Sequence, residues 1–230
     1  MEGEKNMAMP QKHGFAFGSL ILFDFDGVLA DTLMPFYTAL KGACKAIGYN
    51  VLNDPNEFLD LFDDNMHDGL EKLCKAKINS AKFSEELKTR LEASQTEMKL
   101  FPHVPFVLDA LRWRHKVFVV TSNEGAFVEK FLGENGVYGI EVWGREKGES
   151  KSDKIKELKK EHNQRHCYYI GDTQGDMKEA IKEHVIPTFV AWGWHSVNRI
   201  RNHFKASKRA DRIYIVHRPL DLLSGFNPLA

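Results

Sequence analysis

The sequence is poor in cysteine. Cys44, Cys74 and Cys167 are the only three in 230 residues, an odd number with no CxxC pair. A disulfide framework is therefore excluded, and a reducing compartment, the cytoplasm, is the expected location. Long hydrophobic runs are also missing. The stretch from Phe15 to Phe23 is broken by Gly18 and Ser19 and stops at Asp24. That is far short of the roughly 20 apolar residues that cross a bilayer, and no small-residue cleavage site follows, so neither a membrane partner nor an export signal is expected. Charge of one sign is not in excess: Lys plus Arg and Asp plus Glu are each 32. A general nucleic-acid binder carries a basic surplus, so no nucleic-acid partner is expected. Internal repeats and low-complexity segments are absent.

What is present is an ordinary globular mixture, 43% hydrophobic and 28% charged, which excludes disorder as the main state. The length suits one large domain, or a core with a smaller inserted one. Leu20–Phe23 and Lys116–Val120 are continuous apolar runs of the kind found in strands buried on both faces. Weaker strands are expected at Tyr138–Trp143, His166–Ile170, Ile186–Ala191 and Arg212–Val216, the last at an edge because charges flank it. Helices are expected between them, at Pro105–Arg114, at Glu124–Glu134 with Gly136 as its cap, after Ser152, and from near Gly175. Strands alternating with helices indicate an α/β fold with a parallel sheet covered on both faces.

One stretch breaks the alternation. Between Leu33 and Leu100 no strand is evident. Helical spacing links Phe36, Leu40, Ala43, Cys44 and Ile47. It links Phe58, Phe62, Met66, Leu70 and Leu73 in a second helix, and Leu87, Leu91, Ser94 and Met98 in a third capped by Ser84. The expected organisation is a flexible tail at 1–14, a core formed by 15–32 and 101–230, and a helical domain at 33–100 inserted after the first strand.

In a parallel sheet, ligands bind at the carboxyl ends of the strands. The first strand ends in Asp24-Phe25-Asp26-Gly27-Val28-Leu29-Ala30-Asp31-Thr32, the second in Thr121-Ser122-Asn123, and the fourth in Gly171-Asp172-Thr173-Gln174-Gly175-Asp176. Lys151 opens the helix before the fourth strand, with Lys154 as a rival. Clustered carboxylates repel, and a hard divalent cation such as Mg2+ would neutralise them. A lysine and hydroxyls beside that cation would hold an anion with several oxygens, such as phosphate. One carboxylate is then a candidate nucleophile and its neighbour an acid/base. Taken singly, a DxD pair is commonly a turn, Thr121 a turn hydroxyl, Lys151 a solvated lysine and Asp176 a helix-start charge. Their order, each after its own strand, points to a site.

The segment Asp24–Thr32 resembles the signature of the haloacid dehalogenase superfamily of hydrolases. Thr121, Lys151 and Gly171–Asp176 are similar to its second, third and fourth motifs. The resemblance runs from about Ser19 to Leu223. The helical insertion lies where that superfamily places an α-helical cap. Phe101-Pro102-His103-Val104 and Ala191-Trp192-Gly193-Trp194 resemble segments of its phosphoglycolate-phosphatase-like and β-phosphoglucomutase-like group. The resemblance implies a Rossmann-like three-layer core with an all-helical cap domain, and a phosphatase acting on a small phosphorylated metabolite. It implies Asp24 as nucleophile and Asp26 as acid/base. Thr121, Ser122 and Lys151 would bind phosphate. Magnesium would be held by Asp24, the Asp26 carbonyl and Asp172, with Asp176 as ligand or support. Asp26 speaks against dehalogenation. Lys151 departs from the group in being followed by Ser152-Asp153 rather than proline-rich sequence.

Several readings stay open. A phosphomutase would use the same motifs, and a catalytically silent phosphate-binding relative would retain them. A signalling receiver domain would need an aspartate where Thr121 stands. Monomer and homodimer are undecided. The run Asp54–Glu71 carries seven acidic residues and no Lys or Arg. It reads as a solvated face, or alternatively as a cap that disfavours anionic leaving groups. The basic tract Arg199–Arg212 reads as a solvated helix face. His162, His166 and Cys167 do not converge as a zinc site. Trp192 and Trp194 are core or rim.

Overall fold

The computed structural model describes residues 13–148, 150–205 and 213–229. The first twelve residues of the expected tail, and Lys208, Arg209, Asp211 and Arg212 of the basic tract, lie outside these residues. His13, at the end of the expected tail, is held: it exchanges two backbone hydrogen bonds with Phe226, of 2.9 and 2.6 Å.

The chain begins with strand β1 (Leu20–Phe23) and a two-residue strand β2 (Ala30–Asp31). Helices α1 (Leu33–Ala46), α2 (Pro55–Asp60), α3 (Met66–Cys74) and α4 (Ser80–Ala93) follow, and β3 (Lys99–Leu100) returns the chain. The remainder alternates: α5 (Val104–Arg112), β4 (Lys116–Val120), α6 (Gly125–Glu134), β5 (Glu141–Trp143), α7 (Lys151–His162), β6 (Cys167–Gly171), α8 (Gln174–Lys182), β7 (Ile186–Val190), α9 (Val197–Phe204), β8 (Tyr214–Val216), α10 (Asp221–Ser224) and β9 (Asn227–Pro228).

The sheet order is β5-β4-β1-β6-β7-β8-β9, parallel except for the last pair. β1 lies at its centre between β4 and β6, so its side chains alternate into two apolar layers. Ile21 and Phe23 join Val119, Ile170, Leu108 and Phe131 on one face. Leu20 and Leu22 join Tyr169, Ile155, Leu158 and Ala180 on the other. Each such buried side chain contributes about 1.5–3 kcal/mol, which is why this strand reads as an unbroken apolar run. β8 is not an edge strand: β9 pairs antiparallel outside it.

The helical segment departs from its sequence pattern in three places. The second expected helix is two helices with a 3-10 turn between them, because the Asn65 side chain accepts the amides of His67 and Asp68 and starts α3 afresh. α4 is capped by Asn79 rather than Ser84. β2 and β3 form an antiparallel ribbon where the segment leaves and rejoins the sheet. α1 packs on α4, around a cluster that includes Phe36, Leu40, Leu52, Phe58, Leu70 and Phe83. Among the described residues, no helix is long and apolar enough to cross a membrane.

Candidate active site

The carboxyl ends of β1 and β6 lie side by side because Asp24 N donates to Ile170 O at 2.9 Å. That register places Asp24, just past β1, beside Asp172, just past β6. Gly27 permits the turn after Asp24 with φ +69°, and a Cβ there would collide with Asp172 Oδ2. α8 starts with a reciprocal cap: Asp176 N donates to Thr173 Oγ1 at 3.2 Å, while Thr173 N and Oγ1 donate to Asp176 Oδ2 at 3.0 and 2.7 Å. The cap turns Asp176 back toward the strand ends. A ligating oxygen from each of Asp24, Asp172 and Asp176 lies within 4.8 Å of the others, and all three residues are buried.

Lys151, at the first position of α7, donates to Asp24 Oδ2 at 2.7 Å and to Asp176 Oδ1 at 2.8 Å. Lys154, one turn later, points away from the cleft and donates to the carbonyls of Thr121 and Gly144 at 2.6 and 3.1 Å. Burial and the Lys151 charge push Lys154 down to about 8. The lysine in the cleft is therefore Lys151, and Lys154 ties the ends of β4 and β5 beneath it.

One ammonium cannot balance three buried carboxylates. Burial pushes Asp24 up to about 8, against the pull of Lys151 and with the push of Asp176 and Asp26. Burial and the charges of Asp176 and Asp24 raise Asp172 well above the usual carboxylate range. At Asp176 burial is outweighed by Lys151 and Thr173, and the carboxyl is lowered. Asp176 is also saturated with donors, since Tyr169 Oη gives it a further bond at 3.2 Å. Asp172 is not: Oδ2 accepts from Trp194 N at 2.6 Å, while Oδ1 is buried without a partner. An orphaned carboxylate oxygen amid uncompensated negative charge, with oxygen-only donors, fits a hard divalent cation.

Asp26 is raised by burial and oriented by Asn123, whose Nδ2 donates to Asp26 Oδ2 at 2.6 Å. Ser122 and Asn123 line the cleft, whereas Thr121 does not. Thr121 is fully buried, and its Oγ1 accepts Asn123 N at 3.1 Å. Its hydroxyl holds the turn that presents its two neighbours. The structure thus brings Asp24, Asp26, Lys151, Asp172 and Asp176 together with Ser122 at their side, and sets Thr121 behind them.

Trp194 is core in its ring and site in its backbone. The indole packs on Phe36, Phe58 and Phe62 with centroids 5.4, 5.4 and 4.7 Å away, while its amide holds Asp172. Trp192 donates its indole N–H to Val28 O at 3.0 Å. His195 is buried and neutral. Its Nδ1 accepts Gln174 N at 3.0 Å, Nε2 donates to Leu59 O at 2.9 Å, and burial lowers its pKa. The Trp194 ring contacts and the His195 bond to Leu59 fasten the helical segment to the site. So do ion pairs of the acidic run: Arg199 with Asp60 and Asp63 at 2.6 and 2.7 Å, and Lys178 with Asp64 at 2.6 Å. The run is thus partly a docking face rather than only a solvated one, and Arg199 belongs to that dock.

A family model for haloacid dehalogenase-like hydrolases matches residues 21–190, which include Asp24, Asp26, Thr121, Ser122, Lys151, Asp172 and Asp176. The chain belongs to the haloacid dehalogenase-like hydrolase family. It is 25% identical over 206 residues to phosphoglycolate phosphatase of Aquifex aeolicus (strain VF5), covering 86% of this chain and 96% of that one. Its fold is shared with a haloacid dehalogenase-like hydrolase of Streptococcus pneumoniae, at TM-score 0.72 and 19% identity over 90% of this chain and 97% of that one. A hydrolase of Pseudomonas syringae is similar at TM-score 0.74 and 20% identity over 89% and 96%.

Proposed function

We propose that this hydrolase is a cytoplasmic, magnesium-dependent phosphatase that cleaves a small phosphomonoester through a phosphorylated Asp24. The observation that supports this most is the convergence of Lys151 on Asp24 and Asp176 beside an Asp172 with an unpartnered oxygen. The similarity to phosphoglycolate phosphatase places phosphoester hydrolysis within the activities of its relatives.

In this reading, Asp24 and Asp172 hold the magnesium with the Asp26 carbonyl, and Asp176, saturated by protein donors, supports them by fixing Lys151. When bound, the cation neutralises charge on the carboxylates and on the phosphoryl oxygens. Lys151 and Ser122 bind phosphoryl oxygens. A carboxylate oxygen of Asp24 attacks phosphorus as the bond to the leaving oxygen breaks. Asp26, its pKa raised by burial and its carboxyl aimed by Asn123, gives that oxygen its proton. The Asp26 carboxylate then takes a proton from water as the water oxygen attacks phosphorus, which frees phosphate and restores Asp24. The helical segment closes the cleft from above and acts as a cap that keeps bulk water out.

Phosphate release from a panel of phosphomonoesters tests this, run with magnesium and with excess chelator. Release that depends on magnesium and is lost with chelator is expected. Release at the same rate in chelator would contradict the metal assignment, and no release from any ester would contradict the phosphatase.

A further inference from the structure

The cleft, with the site carboxylates in its lining, is a cavity of about 370 Å3. That is far more than a phosphoryl group and a two-carbon alcohol need, and it falls within the range of ordinary ligand pockets. Its wall is apolar. Phe83, Leu87 and Leu91 recur four apart, so they form one stripe of α4, and all three line the cavity. Phe62 and Met66 line it from the junction of α2 and α3, and Phe127 from α6 across the cleft. Phe83 is buried, but Leu87 and Leu91 of the stripe, with Phe62 and Met66 beside it, are only partly buried, so this wall has surface left to cover.

The basic groups point the same way. Among the described residues that line the cavity, the lysines and arginines are Lys88, Arg145 and Lys151. Lys151 is engaged by Asp24 and Asp176. Lys88 pairs with Glu124 at 2.9 Å, and Arg145 pairs with the same Glu124. His67 shares a hydrogen bond with Ser80 at 3.1 Å. Asp64, Glu92, Glu124 and Glu179 line the same space. A carboxylate on the leaving group would have to compete with Glu124 for Lys88 and Arg145 and would face the like charges of Asp64, Glu92 and Glu179.

We infer that the substrate is a phosphomonoester whose leaving alcohol is uncharged and apolar, of aryl-alkyl or medium-chain alkyl type, seated on the Phe83-Leu87-Leu91 stripe. This rests on the phosphatase reading and names the substrate class of that site.

Two measurements on the full chain with magnesium separate the two. In the first, kcat/KM is compared for benzyl phosphate, hexyl phosphate, ethyl phosphate and 2-phosphoglycolate, all esters of alkyl alcohols. Benzyl and hexyl phosphate are expected to exceed the other two by at least about tenfold, the scale on which apolar pockets discriminate. Leu87→Arg is expected to shrink the benzyl-to-ethyl ratio severalfold. In the second, binding of benzylphosphonate and phosphonoacetate, which cannot be hydrolysed as esters, is measured by calorimetry, and the benzyl compound is expected to bind more tightly. Turnover that favours 2-phosphoglycolate, or is indifferent to the alcohol, overturns the substrate class and leaves the phosphatase standing. Preferential binding of benzylphosphonate without turnover of any ester overturns the phosphatase and leaves the apolar seat standing. Equal binding of the two phosphonates overturns the seat.

Discussion

Asn123 Nδ2 lies 2.6 Å from Asp26 Oδ2, joining the turn after β4 to the turn after β1 across 97 residues of sequence. The amide donates to one oxygen of Asp26 and so decides which way the other faces. In the proposed mechanism, Asn123 is a positioning residue for the acid/base step. Asn123→Ala is expected to lower kcat by about ten- to a hundredfold, the worth of a hydrogen bond to a charged group. KM should change little, and the pH–rate profile should move in the limb that reports Asp26. A lower Tm with an unchanged profile would assign Asn123 to stability alone.

The metal-free site should be a source of instability that grows with pH. The Asp24 carboxyl is raised from its ordinary 3.8 to about 8 in the folded chain. The folded state therefore keeps a proton that the unfolded state has lost, and stability falls as pH rises from about 4 toward 8. His195, its pKa lowered by burial, acts in the opposite sense below its usual range, so the useful quantity is a difference. In chelator, the Tm of Asp24→Asn should exceed that of the wild type by an amount that grows from pH 5 to pH 8, and magnesium should shrink the gap. A gap that stays flat with pH would mean that Asp24 titrates normally.

Arg199 spans Asp60 and Asp63 with a half-exposed ion-pair cluster. Pairs of this kind are worth about 1 kcal/mol or less, and salt screens them. Arg199→Ala should lower Tm by a few degrees at low salt and by less at 1 M salt. If the helical segment is the moving cap, the variant should also raise KM, because the closed cleft is less favoured. An unchanged KM at low salt would assign the cluster to folding only.

What was legible in the sequence followed from burial. β1 and β4 carry their register in unbroken apolar runs because both faces are covered, and the motif residues follow them immediately. The break at Asn65 was hidden because Phe58, Phe62, Met66 and Leu70 keep helical spacing through the turn that divides α2 from α3. β2, β3 and β9 are two residues long, too short for any period to show. Flanking charges suggest an edge at β8, and nothing in Asn227-Pro228 announces the strand that pairs outside it. Lys151 and Lys154 were rivals because both fall in one charged turn, and only the fold sends one into the cleft and the other to the carbonyls of Thr121 and Gly144. The contacts of Asn123 with Asp26 and of Arg199 with Asp63 join residues 97 and 136 apart. No local pattern encodes such pairs, although the polar Asn123 in the turn after β4 was a usable signal.

The measurement that tests the central claim most directly is phosphate release by Asp24→Asn beside the wild type, in magnesium, on the best ester of the panel. The amide keeps the shape of the carboxylate and its bond from Phe25 N, so circular dichroism should show an intact fold. Release is expected to fall by at least about a thousandfold, as when a nucleophile is removed. A folded Asp24→Asn that releases phosphate near the wild-type rate would contradict the phosphorylated Asp24 on which the mechanism stands.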